Sequence, residues 1–390
     1  MKLLPLIWWH AWRHRGRSAL LVGCVAVALL VPLLSRSLAT RFEATQRERA
    51  EMAPMVVGAK GGRFDLVLAS LYFRPAPLDP LEYRHFERLS SDPLATAVPI
   101  HARFTASGDP IVATDVGYFQ RPGVPLPLAD GRVFARIGET VVGANAAARH
   151  ELAPGSSIFS DIAEAYDITK PPSLKLDVVG VLSPTGTSDD EALFVDLETA
   201  WLLEGFAHGH DDAEQIDRPD LVIARNNDRV ALSEALRTYQ EVTEENAASF
   251  HVHGSRDAFP LTAVLFYPVD ARAKTILTAR LNARDDLQAI EPSKVVDELI
   301  AFVVRLRLVF DAISVVLAAS TAALIALIAV LGYRLRSEEL RTLADMGASR
   351  STAALLVGGE LLALVLLGIG LAISLAWLAI LVASRASAFV

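Results

Sequence analysis

A chain of 390 residues that is 52% apolar and only 21% charged has room for more than one folded region and is too apolar for an ordinary soluble domain. Residues 40–300 hold 25 of the 37 basic and 40 of the 45 acidic side chains, a net of −15 that excludes long-range attraction to nucleic acid or anionic lipid. Cys24 is the only cysteine, so an internal disulfide is excluded as well.

The first 17 residues carry Lys2, Arg13, Arg15 and Arg17 among Trp8, Trp9 and Trp12. They read as a helix lying on the inner membrane surface. Residues 19–34 are uninterrupted apolar sequence. A span over 18–39 follows if the helix runs through Pro32 and Ser35-Arg36-Ser37, with Arg36 reaching to the interface. The competing reading is a cleaved leader, with a basic start and Ser37-Leu38-Ala39 as its small-residue site. "LVGC", which ends at Cys24, has too few apolar residues before it for a lipoprotein signal.

Residues 40–300 read as one outer α/β domain. "FDLVLASL", "PIVATDVGYF", "TVVGA", "LKLDVVGVL", "ALFVDL", "DLVIAR" and "AVLFYPV" have the β-branched, alternating character of strands. "DPLEYRHFERLS", "DRVALSEALRTYQ" and "AKTILTARLNARDDLQ" have helical spacing. "GAKGG", residues 58–62, reads as a turn feeding a strand near Phe64. From Pro292 the pattern stays helical through "SKVVDELIAFVVRLRLVFDAIS", which predicts a stalk continuous with a second span over 301–334. A cytoplasmic link over 335–351, a third span over 352–384 and a tail at 385–390 complete the chain. Lys2, Arg13, Arg15 and Arg17 on one side, and Arg334, Arg336, Arg341 and Arg350 on the link, put the N-terminus and the link in the cytoplasm. The large domain then faces the periplasm of a bacterial inner membrane.

Catalytic signatures are missing: the sequence has no GxxxxGK[ST], no HExxH and no GxSxG. ATP is therefore not bound through a phosphate loop of this chain, and the reading is of a protein that is not itself an enzyme. His208-Gly-His210 and His251-Val-His253 are H-x-H pairs. On extended backbone each would bring two imidazoles to one face, a candidate Zn²⁺ site. Asp311 and Glu360, the acids of spans two and three, fall at opposite ends of those spans, where interfacial water reaches them. The small residues "AASTAA" in span two and "GIGLAIS" in span three suit close helix packing.

Between the last two spans lies "RSEELRTLADMGASR". Ser337 can start a helix whose Leu340, Leu343 and Met346 form an apolar face, with Gly347 as its stop. Glu338, Glu339, Arg341 and Asp345 cover the rest. A short amphipathic helix tethered between two spans is suited to dock on a soluble partner; a solvated turn would need no apolar stripe. Contact with inner-surface lipid is the other bland reading of that stripe.

"RLRSEELRTLADMGASRSTAALLVGGELLALVLLGIG" resembles a segment of the FtsX-like ABC permeases, the group of macrolide exporters and lipoprotein-release permeases. Glu339, Leu340, Leu343, Met346, Gly347, Ala348 and Ser349 sit on that pattern, and Glu360 matches a later glutamate. "AWRHRGRSALLVG", "VVGANAAARHELAPGSSI" and "LDVVGVLSPTGTSDDEALFVDLETAW" extend the likeness over most of the chain. The resemblance implies a dimer of permease chains, alike or different, working with a cytoplasmic ATPase that holds ATP and Mg²⁺. It also implies mechanical transmission to an envelope substrate or periplasmic partner. Arg336, Glu339, Leu340, Arg341, Leu343, Met346 and Gly347 would then form the ATPase-contacting coupling helix. By the same resemblance a lobe over 116–250 is inserted in the outer domain. Two departures stand out: the family usually has four spans rather than three, and Ala344-Asp345 replaces a basic-plus-alanine pair. A membrane-anchored periplasmic binding or sensor protein is the alternative.

Overall fold

In the computed structural model the described residues are 12–13, 15–123, 125–161, 173–209, 222–226, 229–232, 239–243, 246, 250–252, 255–335, 337–345 and 350–386. Contacts divide the chain into two compact units, one of residues 1–45 and 298–390 and the other of residues 46–297.

The first unit is helical. Helix α1 (Arg15–Glu51) contains Pro32, α7 (Pro292–Leu335) is 44 residues long, and α9 (Arg350–Ala386) is 37 residues long. Among the described residues three stretches are long and apolar enough to cross a membrane: Arg15–Ser37, Leu308–Arg334 and Gly358–Val382. Their number agrees with the three spans expected from the sequence, while the second and third begin at 308 and 358 rather than at 301 and 352. Between α7 and α9 lies the short α8 (Ser337–Asp345).

The second unit is α/β. In chain order its main strands are β1 (Val56–Ala59), β3 (Ala95–Ala106), β4 (Asp109–Thr114), β5 (Leu128–Gly131), β6 (Glu139–Val142), β7 (Ser157–Phe159), β8 (Ser173–Leu182), β9 (Leu193–Asp196), β13 (Tyr239–Gln240), β16 (Ala263–Pro268) and β17 (Leu287–Ile290). Among the described residues they form an eleven-stranded mixed sheet in the order β13-β8-β6-β9-β4-β3-β16-β1-β17, with β5 and β7 also paired to β8. Three two-stranded pairs stand apart from it: β2 (Leu81–Glu82) with β15 (Pro260–Leu261), β10 (Ala207–Gly209) with β14 (Phe250–Val252), and β11 (Val222–Asn226) with β12 (Arg229–Leu232). The long β3 joins the two halves of the main sheet. It pairs antiparallel with β16 on one side and with β4 on the other. The pairs β4–β9, β6–β8 and β13–β8 are parallel.

Each half has its own apolar core. In one, Ala146 and Ala147 of α4 (Ala144–Arg149) and Ala200, Leu202 and Leu203 of α5 (Leu197–Glu204) cover Ile111, Leu174, Leu176, Val178 and Val195. Asp196 starts α5 by accepting from the Thr199 amide at 2.9 Å, and Gly205 ends it in the left-handed region. In the other core, Leu89 of α3 (Tyr83–Ser90) and Ala273, Leu277 and Leu281 of α6 (Ala271–Asn282) pack on Val57, Val264, Phe266 and Ala289. The four-residue spacing on α6 puts one face on the sheet.

Three local expectations are corrected. "FDLVLASL" forms α2 (Arg63–Leu71), not a strand, with Gly62 as its N-cap residue and Asp65 in its first turn. Leu66, Val67, Ala69, Ser70 and Leu71 are buried, and a short apolar run cannot declare its period until burial chooses one. "GAKGG" therefore precedes a helix rather than a strand. Of "DRVALSEALRTYQ", Arg229–Leu232 forms β12, paired with β11, and Tyr239–Gln240 forms β13, while residues 228 and 233–238 lie outside the described residues. Asn226 faces Arg229 in that register, and the sequence Asn227-Asp228 is turn chemistry that local helical spacing does not weigh. Finally, α6 stops at Asn282, so Leu287 and Gln288 belong to β17 rather than to the helix.

Candidate functional site

The helical unit gathers ionisable side chains at the two ends of its spans. Arg17 near the start of α1 donates to Glu360 of α9 at 2.7 Å. A Cβ added to Gly332 of α7 would stand 3.5 Å from Arg17 Nη1, so all three spans meet around this arginine. At the opposite end Arg36 and Asp311 form a looser, more exposed pair at 3.6 Å. These two meetings make span two antiparallel to span one.

Spans one and three run parallel instead. Val25 packs so closely on Gly368 that a Cβ there would lie 2.7 Å from the Val25 Cβ. Arg17–Glu360 and Val25–Gly368 are both spaced by eight residues along their helices, about 12 Å of rise, and Leu21 and Leu364 share a buried cluster between them. On α9 the buried positions Glu360, Leu364, Gly368, Ala372 and Ala376 recur every fourth residue, a ridge along one helix face.

The sequence expectation that water reaches both intramembrane acids is corrected for Glu360. It is 2% exposed, because Arg17 covers it. The small-residue expectation divides in the same way. Gly368 packs closely, whereas Ala318, Ala319, Ser320, Ala322 and Ala323 of span two are exposed and Gly370 has open space around it.

Helix α8 directly follows span two. Glu339, Leu340, Arg341 and Leu343 lie on it, and Arg341 is exposed with Glu338, Thr342 and Asp345. Arg336, Met346 and Gly347 lie outside the described residues. Of the histidines proposed for zinc, His208 on β10 stands directly opposite His251 on β14 in antiparallel register. His210 and His253 lie outside the described residues. Among the described residues no group of three or more histidine, cysteine or acidic side chains gathers as a metal cage.

The α/β unit holds further polar constructions that sequence reasoning did not single out. Asp189, fully buried, accepts from Tyr118 Oη at 2.6 Å and from Arg121 Nη2 at 2.9 Å. The Arg121 guanidinium lies 4.0 Å over the Tyr118 ring. Burial works against the charge on Arg121, and Tyr118 and Asp189 outweigh it, so its pKa rises above the ordinary arginine value. Ser188 donates to the Leu71 carbonyl, and Tyr267, pushed up to about 12 by burial, donates to the Met52 carbonyl at 3.2 Å. A side chain at Gly143 would run into the carbonyls of Asp189 and Asp190, so that glycine lets the loop close down. This is a buried brace between the two halves of the sheet.

Two other groups stand nearer the surface. Glu204 meets His101 Nε2 at 3.2 Å and Arg103 at 3.2 Å. Burial pushes Glu204 up, but His101 and Arg103 outweigh it and hold the carboxyl below its usual range. An open groove of about 560 Å³ is lined by Arg132, Arg136, Glu139, Asp177, Glu241 and Thr243 among others. In it Arg132 makes a two-pronged pair with Glu139, and that hydrogen bond holds Glu139 below the usual carboxylate range.

These helices and this sheet define a membrane protein of three apolar helices with a large α/β domain. Compared with known proteins, the chain matches no family profile and no curated protein. The partner of Glu360 could have been sought in the sequence, since a lone acid in an apolar run requires a cation. Several arginines near span ends competed for that place.

Proposed function

We propose that the chain is the permease subunit of an ATP-driven ABC transporter of the FtsX-like kind, set in a bacterial inner membrane with its α/β domain in the periplasm. The observation that carries the reading is the placement of α8: a nine-residue helix held between span two and α9. It lies next to a span end where Arg13, Arg15 and Arg334 are exposed, and such a cluster favours the cytoplasmic side. In this reading α8 seats on a separate ATPase. Helix α7 begins two residues after β17 and ends two residues before α8, and acts as the stalk that carries displacement to the sheet. The ATPase supplies ATP hydrolysis, a second permease chain completes the assembly, and the outer domain acts on an envelope substrate or partner.

The test is affinity purification of the full chain from its native membranes. An ABC-type ATPase should accompany it and be lost when Leu340 and Leu343 are both replaced by Asp, while the chain stays in the membrane. ATPase association that survives this double replacement, or no ATPase at all, overturns the proposal. The groove beside Arg132 favours a second reading, a membrane-anchored binding or sensor protein. That reading requires function to persist after spans two and three are removed.

A further inference from the structure

Of the three spans, one and three are joined at two heights. At the lower, Glu360 is almost wholly covered and its carboxylate is held by Arg17 at 2.7 Å. A carboxylate in an apolar helix contact is unfavourable without its cation, so neither partner is dispensable singly. At the upper, the absence of a side chain at Gly368 lets Val25 and the Val22 carbonyl come within van der Waals reach. One contact would fix only a point; two contacts about 12 Å apart fix height, tilt and rotation together. Span two is held more loosely among the described residues. In its most apolar 18-residue stretch no residue is buried, against 28% in that of span one and 17% in that of span three, and of span two only Gly332, near its end, is buried. It meets the others through Gly332 beside Arg17, the partly buried Ile325 and Ile328 and the loose Arg36–Asp311 pair, with no charge of its own in a buried ion pair among the described residues.

We propose that Arg17 and Glu360 form a lock that makes spans one and three a single mechanical element, and that span two is the element that moves against it. On the transport reading, and resting on it, the lock passes displacement of α8 into α1 as well as α7. The outer domain would then be driven through both of the helices that enter it. Arg17 and Glu360 are positioning residues in this scheme: each acts by holding the other's helix.

The experiment is cross-linking of the full chain in native membranes, with Cys24→Ser to remove the native thiol. Leu21→Cys with Leu364→Cys reports contact between spans one and three, and Val22→Cys with Ile328→Cys reports contact between spans one and two. Copper phenanthroline should oxidise the first pair rapidly. Glu360→Ala or Arg17→Ala should slow that reaction about tenfold, the equivalent of about 1.4 kcal/mol. The exchange Arg17→Glu with Glu360→Arg should restore most of the rate, which a merely misfolded bundle would not do. The second pair should react more slowly and respond little to the same changes. Oxidation of the first pair that ignores loss of either charge, or that the exchange fails to rescue, overturns the lock. No ATPase enters the readout, so failure of the lock and failure of the transport reading are seen separately.

Discussion

Asp115 stands ahead of the short turn Val116–Gln120 without closing a side-chain cap, and its Oδ1 is buried with no hydrogen-bond partner. Burial pushes its carboxyl up from 3.8 to about 6, with the nearby amides of Gly117 and Tyr118 pulling the other way but too poorly aimed to cancel it. An acid whose folded pKa is raised binds its proton more tightly in the folded state. Its contribution to stability is therefore complete below the unfolded value and is lost as the pH climbs through about 4 to 6. Roughly two pKa units at about 1.4 kcal/mol each is a cost of about 3 kcal/mol at pH 7. Asp115→Asn removes the charge and keeps the shape. Its amide still buries an unpartnered polar atom, which takes back about 1 kcal/mol. The variant should thus be about 2 kcal/mol more stable than the parent at pH 7, an advantage that turns into a deficit of about 1 kcal/mol at about pH 3.5, where the parent carboxyl is neutral and only the amide penalty remains. The measurement is urea unfolding of residues 46–297 followed by the fluorescence of Trp201, the only tryptophan in that stretch and buried in its core. A variant that is no more stable at pH 7, or whose advantage is the same at both pH values, refutes the desolvation argument.

Two other perturbations address the same unit. Asp189→Ala strands the fully buried Arg121 and should cost about 3–5 kcal/mol, whereas Arg121→Met combined with Asp189→Leu should cost much less; urea unfolding reads both, and a single variant as stable as the parent would dismiss the brace. Asn282 donates to the Ala289 carbonyl at 2.9 Å and accepts from its amide at 2.8 Å, covering the outer edge of β17. Asn282→Ala should lose about 1–3 kcal/mol and leave an edge open for pairing between chains, so light scattering should show self-association at concentrations where the parent stays monodisperse.

Local chemistry made some of this molecule readable in one dimension. Three apolar stretches of span length, the amphipathic interval from Ser337 to Asp345 and the alternation of "LKLDVVGVL" all declare themselves in neighbouring residues, because a helix or strand repeats within a few positions. The same locality misled at "FDLVLASL" and "DRVALSEALRTYQ", where intrinsic spacing fits either structure and the neighbours in space decide. What only the folded chain decided are meetings between distant residues. Arg17 finds Glu360 across 343 positions, Asp189 finds Arg121 across 68, and Gly368 rather than Gly370 becomes the close approach because it lies on the ridge facing Val25. Burial makes those choices: once water is removed, a charge must be matched and a gap filled by whatever the topology brings alongside, and no window of sequence contains that partner.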